Sequence, residues 1–463
     1  MEQQKQSSIS SWLSKAPAWQ FSLYAIVVSF STYFCMYGFR KAFSVARFED
    51  QTIWGFDLKV ALVISQIIGY TLAKYLGTKF CSEIQARNRA FAILLCIAGA
   101  ETALVLYGIL PGDWILAGIF LNGLSLGGVW GLVFGFLEGR KVSEILGAGL
   151  SCSYIIASGY AKTVGKSWLD EGVSEVWMPA LTGACYLPFL LVAVWFLKQI
   201  PPPSEEDVAE RVLRTPMDSK DRWRFVKQFL PGLSVLFIVY FFLTAYRDFR
   251  DNFQIEIYSD LGLGAVEPVL LTATETPIGF IVVGCLALLY LVKDNRRGLF
   301  VTHLMMLSGM VLIGVSTYLF DKGVLDFLNG QKDPIFGYDL ASDIAWLFLV
   351  GLGAYLAYVP YGCVLFDRMI AGWGTAATAV FAIYAADALG YTGSIAMMLY
   401  KVLGAGDLNY AEFFKGFSYF TSVFCTLGFV LSWIYFWRKK SIGEVDTATG
   451  EETGKSEGVV AGN

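Results

Sequence analysis

Twelve long apolar stretches, six on each side of a polar break, constrain this 463-residue chain more than any other feature. Each is long enough for a transmembrane helix, which needs about 20 predominantly apolar residues. Hydrophobic residues make up 56% of the chain and charged residues 16%, which would leave a soluble globule with a largely apolar surface. We therefore predict an all-α polytopic membrane protein with twelve transmembrane helices in two pseudosymmetric six-helix halves. The stretches lie at about 17–45, 58–79, 89–110, 114–137, 145–167, 177–198, 228–253, 267–292, 298–320, 342–366, 371–401 and 412–437.

A charged, proline-rich segment near the midpoint separates the two halves. A central linker between two similar sets of helices is typical of membrane proteins built from a repeated unit. The predicted organisation is an amino terminus at 1–16, an N-terminal half at 17–198, a linker at 199–227, a C-terminal half at 228–438 and a disordered tail at 439–463.

The distribution of Lys and Arg predicts the orientation of the chain. Of the 35 Lys and Arg residues, 22 lie in the termini and in loops on the same side, and seven lie in the opposite loops. By the positive-inside rule, both termini and the linker are cytoplasmic. We expect a multi-pass protein of the inner (plasma) membrane.

Composition also argues against several classes of function. His303 is the single histidine, and the eight cysteines are dispersed without a C-x-x-C motif. Neither a metal site nor a Ser-His-Asp enzyme is expected, and no cofactor is predicted. The net charge of -4 provides no basic face for nucleic acid. We expect a monomer in the lipid bilayer that is not an enzyme.

Six cations fall within the predicted spans, where an ionised side chain costs about 2.5–3.5 kcal/mol to insert. Fewer carboxylates accompany them, so the interior should attract an anion. The cations are Arg40, Lys41, Lys74, Lys162, Arg247 and Arg250, and the clearest carboxylates are Glu101, Glu275 and Asp387.

Arg40 ends the first span, and Arg247 and Arg250 end the seventh, which is the corresponding span of the second half. In a pseudosymmetric fold, such arginines would face each other across a central cavity and bind phosphate or carboxylate from two sides. Alternatively, Arg247 and Arg250 pair with nearby aspartates at the membrane interface, and Arg40 extends to the headgroups. The sequence leaves open whether Arg247 or Arg250 corresponds to Arg40.

Lys74 follows Tyr70 by one helical turn, which suggests a polar cavity lining. Lys162 lies near the end of the fifth span, where it lines the cavity or extends to the interface. Glu275 and Asp387 are candidate switching charges that neutralise an arginine in the empty site or carry a proton. A structural role for these two carboxylates is the alternative.

Several segments resemble the major facilitator superfamily and, within it, the organophosphate:inorganic phosphate antiporters. The similar segments are 37–46 with Arg40, 69–77 with Tyr70 and Lys74, 274–279 with Glu275, 358–362, 374–377 and 388–391. The resemblance implies phosphate binding by Arg40 and by Arg247. The sequence departs from this group in two respects. No histidine occurs in the fifth span, and Cys81 stands where the superfamily's loop signature has aspartate.

The function that the resemblance and the cations imply is secondary transport of a small anionic solute by rocker-switch alternating access. The solute would be a phosphate ester or inorganic phosphate. Two alternatives remain: a proton-coupled symporter of another solute, and a non-transporting sensor that signals through the linker or tail. The predicted substrate-binding residues are Arg40, Arg247, Lys74, Tyr37, Tyr70, Arg250 and Lys162, with Glu275 and Asp387 as coupling residues.

Overall fold

Helices make up most of the computed structural model, which describes residues 8–138, 140, 142–204, 219–263, 268–332, 339–373, 379–406 and 408–439. In the N-terminal half these are α1 (Ser8–Leu13), α2 (Ala18–Lys41), α3 (Leu58–Glu83), α4 (Arg89–Ile109), α5 (Ile115–Leu126), α6 (Val129–Phe134), α7 (Ser143–Asp170) and α8 (Met178–Leu197). In the C-terminal half they are α9 (Ser219–Asn252), α10 (Gln254–Asp260), α11 (Pro268–Tyr290), α12 (Asn295–Asp321), α13 (Ser342–Cys363), α14 (Leu365–Gly372), α15 (Ala379–Gly404) and α16 (Tyr410–Arg438).

Ten segments in the described ranges are long and apolar enough to cross a membrane, with α5 and α6 together forming one of them. Two further long helices, α7 with 28 residues and α15 with 26, occupy the fifth and eleventh positions. Both carry buried polar side chains, including Lys162 and Asp387, and are therefore less uniformly apolar. Large exposed side chains such as Phe91, Phe189 and Phe280 give the exterior the apolar character that lipid contact requires.

The same helix pairs pack together in each half. In the first, α2 packs against α7 and α8, and α3 and α4 pack against α5. In the second, α9 packs against α15 and α16, and α11 and α12 pack against α13. The halves meet where α7 runs along α11 and where α3 runs along α15. The predicted all-α, two-half architecture is therefore confirmed.

Short hairpins occur in two of the loops. Strands β1 (Thr52–Ile53) and β2 (Phe56–Asp57) are antiparallel, with Thr52 opposite Asp57. The turn between them places Trp54 and Gly55 at φ values of 53° and 82°, the left-handed region that a type I′ turn requires. Strands β3 (Gln331–Lys332) and β4 (Asp339–Leu340) form the second antiparallel pair.

About half of the predicted linker and nearly all of the predicted tail lie outside the described residues. Helix α8 ends at Leu197, α9 begins at Ser219, and 205–218 and 440–463 are not described. The predictions of a disordered tail and of a signalling linker therefore remain predictions. The first residue of the predicted tail, Lys439, is described and lies just after α16. Its carbonyl accepts hydrogen bonds from Arg296 at 2.7 Å and from Trp373 at 3.3 Å.

Close packing of α3 against α5 depends on glycine. A Cβ atom added at Gly123 would overlap the carbonyl oxygen of Gln66, and one added at Gly69 would overlap that of Phe120. We expect Gly123→Ala to lower the free energy of unfolding by about 1–3 kcal/mol, because the two backbones must separate. Thermal unfolding of the purified protein in detergent measures this loss. Gly284→Ala in α11 is the matched control, since an added Cβ there meets nothing within 4 Å, and an equal loss in both variants would contradict the packing argument.

Candidate functional site

A central cavity of about 40 Å³ lies between the two halves. Seven tyrosines and one tryptophan contribute most of its lining, so the wall is aromatic and carries hydroxyl groups. The lining residues are Tyr33, Tyr37, Tyr70, Lys74, Trp130, Ser151 and Tyr154 from the first half and Tyr240, Arg247, Tyr358, Gly362, Ile383, Asp387 and Tyr391 from the second. We call the end at which α2 finishes and α3 begins the α2–α3 face, and the opposite end, where α8 finishes, the linker face.

Arg40, the next-to-last residue of α2, lies against three tyrosines of the cavity lining. Its Cζ atom is 3.9 Å from the ring centroid of Tyr70, 5.7 Å from that of Tyr37 and 5.9 Å from that of Tyr391. Only 4% of Arg40 is exposed, and its Nε has no hydrogen-bond partner in the described ranges. Among the described residues no carboxylate pairs with it. Aromatic rings stabilise a desolvated guanidinium by about 2 kcal/mol, which does not replace a counter-ion.

Buried amides fix the end of α2 that carries Arg40. The side chain of Gln66 in α3 donates to the carbonyl of Arg40 at 3.0 Å and to Asn122 at 2.9 Å. Asn122 in α5 donates in turn to the carbonyl of Phe39 at 3.0 Å. Since the last carbonyls of a helix have no partner within it, these contacts satisfy them and hold Arg40 in position.

Arg247 of α9 lines the cavity from the other half, but it is already neutralised. Its guanidinium pairs with Asp248, and the second oxygen of Asp248 accepts a hydrogen bond from Ser394 at 2.8 Å. The Cζ of Arg247 lies 4.1 Å from the ring centroid of Tyr358. The two arginines predicted to bind one anion together therefore differ in their electrostatic state.

Lys74 and Asp387 connect the halves on the linker-face side of Arg40. The Nζ of Lys74 in α3 lies 3.0 Å from Asp387 Oδ2 in α15. The other carboxylate oxygen accepts a hydrogen bond from the Tyr240 hydroxyl at 2.8 Å. Both charged side chains line the cavity, so a ligand in the cavity would contact an ion pair that also holds the halves together.

Asp251 forms a buried cluster between the halves near the α2–α3 face. Its two oxygens lie 2.5 Å from Lys162 of α7 and 2.5 Å from Lys41 of α2. Ser158 donates to the same carboxylate at 2.5 Å. We call these four residues the Asp251 cluster; its two ammonium groups share one carboxylate, which leaves an excess of positive charge.

Further polar contacts join the halves at the same face. Lys59 at the start of α3 pairs with Glu256 of α10. The guanidinium of Arg47 donates to the hydroxyl of Ser259 at 2.7 Å. In this structure the α2–α3 face is therefore closed by ionic contacts between α2, α3 and α7 of one half and α9 and α10 of the other.

Arg250 and Glu275 pair with each other away from the central cavity. The distance from Arg250 Nη1 to Glu275 Oε1 is 2.8 Å, and Arg250 also donates to the carbonyl of Leu347 at 3.1 Å. Both side chains belong to the C-terminal half and are nearly fully buried. The pair joins α9, α11 and α13 within one half, which fits a structural role.

We expect Glu275→Gln to lower the thermal stability of the protein, because Arg250 would be left in the interior without a carboxylate. Adding Arg250→Met should restore part of the loss, since it removes the uncompensated charge. Thermal unfolding in detergent checks both variants. A stable Glu275→Gln protein that loses the response of uptake to a pH gradient would instead favour a coupling role.

The structure thus brings six of the nine predicted site residues to the cavity or its wall: Arg40, Tyr37, Tyr70, Lys74, Arg247 and Asp387. The remaining three, Lys162, Arg250 and Glu275, lie outside the lining. Sequence reasoning missed Asp251 and Glu256 as partners of the lysines. The dense charge in the segment 246–256 is the available signal, but the pattern alone predicts only the end of a span.

Three solved structures with a similar fold are described here, and all three are transporters. One is the major facilitator proton:xylose symporter XylE bound to 6-bromo-6-deoxy-D-glucose, at 14% identity and a TM-score of 0.54, covering 93% of this chain and 99% of that one. The human organic anion transporter MFSD10 (TETRAN) matches at 13% identity and a TM-score of 0.51, and the match covers 92% of this chain and 100% of that one. The third is a bacterial homologue of the human lysosomal transporter Spinster, in an inward-facing and unoccupied conformation. It matches at 13% identity and a TM-score of 0.56, and the match covers 90% of this chain and 97% of that one.

The chain therefore has the fold of the major facilitator superfamily, as the sequence predicts. It belongs to the family described as a family of unknown function (DUF5690), whose model matches residues 42–439. A sequence comparison with curated proteins finds no match. The organophosphate antiporter branch remains a prediction from the sequence.

Proposed function

We propose that this protein is a secondary active transporter that moves a small anionic solute by alternating access between its two halves. The carrying observation is Arg40, a buried guanidinium that lies against the tyrosines of the central cavity and pairs with no carboxylate in the described part of the chain. Burying an uncompensated charge is unfavourable, and a ligand anion would compensate it. The fold, which is typical of transporters, favours this role over that of an enzyme.

The contacts between the halves support alternating access. The Asp251 cluster and the Lys59–Glu256 pair join the halves at the α2–α3 face. The Lys74–Asp387 pair joins them on the other side of Arg40. Movement of a solute requires that each set opens while the other remains closed, which is the rigid-body motion expected of two pseudosymmetric halves.

The sequence supports the proposed orientation and the choice of solutes to test. The excess of Lys and Arg in the loops of the linker face favours a cytoplasmic linker and cytoplasmic termini in an inner membrane. The α2–α3 face would then be external. The resemblance to organophosphate antiporters makes phosphate esters and inorganic phosphate the first solutes to test, with a monomer as the working unit.

Counterflow in proteoliposomes tests the proposal. The full chain is reconstituted and preloaded with unlabelled inorganic phosphate, glucose 6-phosphate or glucuronate, and entry of the same labelled solute is measured. We expect accumulation above that in protein-free liposomes for at least one anion. Glucose serves as the neutral control. If a folded, reconstituted protein accumulates none of the anions, the proposal fails.

Proton coupling is a second candidate, favoured by Asp387. Its carboxylate accepts from Lys74 and Tyr240, lines the cavity and links the halves. A proton on Asp387 would weaken its contact with Lys74 and so alter the balance between conformations.

If Asp387 carries the proton, an inward proton gradient should stimulate uptake by the unmodified chain. Asp387→Asn, which cannot change its charge, should abolish the stimulation. Uptake with and without an imposed pH gradient measures this effect. Exchange that does not respond to the gradient in the unmodified chain would rule out coupling.

A further inference from the structure

We propose that the solute is a monoanion that bears a ring, specifically a cyclic or aromatic carboxylate. This inference rests on the proposed transport function and names the substrate class of the same cavity. Two observations carry it. Among the described cations that line the cavity or contact its tyrosines, Arg40 is the one without a carboxylate partner. Half of the lining residues are tyrosines, and two tyrosine pairs meet across the two halves.

The charges at the cavity favour a solute with a single negative group. Lys74 pairs with Asp387 and Arg247 pairs with Asp248, so both of these cations are neutralised. Arg40 is the one that remains among the described residues of the cavity and its wall. A carboxylate would bring the cavity and its wall to neutrality; the excess positive charge of the Asp251 cluster lies nearer the α2–α3 face and is not part of this sum.

A phosphate ester fits this balance less well. It carries a charge of about -1.5 to -2 at pH 7, which would leave negative charge uncompensated after Arg40 is neutralised. The two carboxylates already near the cavity, Asp248 and Asp387, are buried and would repel this charge at low effective dielectric. Accommodating a dianion would require Lys74 or Arg247 to leave its partner.

The aromatic contacts indicate the ring. Tyr70 meets Tyr391 edge to face with ring centroids 5.0 Å apart, and Tyr154 meets Tyr358 at 6.1 Å. Each pair joins one half to the other, so alternating access must separate it. An aromatic pair contributes about 0.5–1.5 kcal/mol beyond its buried area. A solute ring seated between separated tyrosines would replace these contacts, while its carboxylate binds the Arg40 guanidinium in bidentate geometry.

Binding to the purified full chain in detergent, measured by isothermal titration, tests the substrate class. The panel varies one property at a time. Phenylacetate and glucuronate are ring monoanions, with an aromatic and a sugar ring respectively. Phenyl phosphate and glucose 6-phosphate are their dianionic counterparts, propionate lacks a ring, and benzyl alcohol and glucose lack charge.

We expect at least one ring monoanion to bind about tenfold or more tightly than its dianionic, ring-free and neutral counterparts. Tyr391→Leu should weaken that binding by about two- to tenfold, the effect of one aromatic contact. Tyr391→Phe, which keeps the ring, should bind almost as the unmodified chain does. Equal loss in both variants, with intact thermal unfolding, would contradict the role of the ring.

Other outcomes separate this inference from the proposed function. Tighter binding of a dianion or of propionate, dependent on Arg40, would overturn the inference while leaving anion transport intact. Failure of every ring monoanion to bind would also overturn it. The counterflow assay then decides independently whether the chain transports any anion.

Discussion

Arg40→Met is expected to reduce counterflow of the transported anion by about 30-fold or more, because truncating one partner of a buried charge pair costs about 2–5 kcal/mol of binding. Methionine fills much of the same space without the charge. Thermal stability should be preserved or increased, since Arg40 lacks a carboxylate in the described structure and its burial is unfavourable. A residue that only stabilises the fold would not show this combination of lost transport and retained stability.

Arg40→Lys provides the matched control for this prediction. It retains the positive charge but removes the planar, bidentate donors of the guanidinium. We expect intermediate counterflow, with affinity between those of the unmodified chain and Arg40→Met. Unchanged transport in Arg40→Met would refute the assignment of Arg40 as the anion-binding residue. A parallel loss of stability and transport would indicate a structural role.

Asp251→Asn is expected to lower the free energy of unfolding by about 3–5 kcal/mol, the loss typical of breaking a buried ion pair by removing one partner. Lys41 and Lys162, each 2.5 Å from the carboxylate, would be left facing each other without a counter-charge. Repulsion between them should also separate the halves at the α2–α3 face. Thermal unfolding in detergent measures the first effect.

Labelling of Ser259→Cys with a membrane-impermeant maleimide measures the opening, since Ser259 contacts Arg47 of the other half at that face. The label should react faster when Asp251→Asn is also present. Asp170→Asn is the control for stability, because the Lys166–Asp170 pair is partly exposed and should contribute no more than about 1 kcal/mol. Equal stability losses at 251 and 170 would contradict the importance of the Asp251 cluster.

The structure revises the roles predicted for the intramembrane charges more than it revises the predicted helices. The sequence treats Arg40, Arg247 and Arg250 as similar candidates. Among the residues that the structure describes, Arg40 has no carboxylate partner, whereas Arg247 pairs with Asp248 and Arg250 pairs with Glu275. Arg247 and Arg250 are only three residues apart in α9, yet Arg247 lines the cavity and Arg250 lies in the interior of the C-terminal half. Rotation of 100° per residue around the helix axis has this effect.

Cross-half contacts lay beyond sequence reasoning because their partners are far apart in the chain. Lys41 and Asp251 are separated by 210 positions, and Lys74 and Asp387 by 313. Nothing in the local pattern around either partner specifies the other. The residues that carry the charge were visible in the sequence, whereas their pairing depends on which helix faces meet.

The sequence by itself determined the membrane location of the chain, its division into two sets of six helices and the presence of cations that the bilayer disfavours. These follow from hydrophobicity and chain length, which act along the chain and require no knowledge of packing. Only the tertiary structure decided which cation has no carboxylate partner among the described residues and which carboxylates hold the halves together. Electrostatic energy depends steeply on distance and burial, and both are set by how the helices rotate and pack against one another.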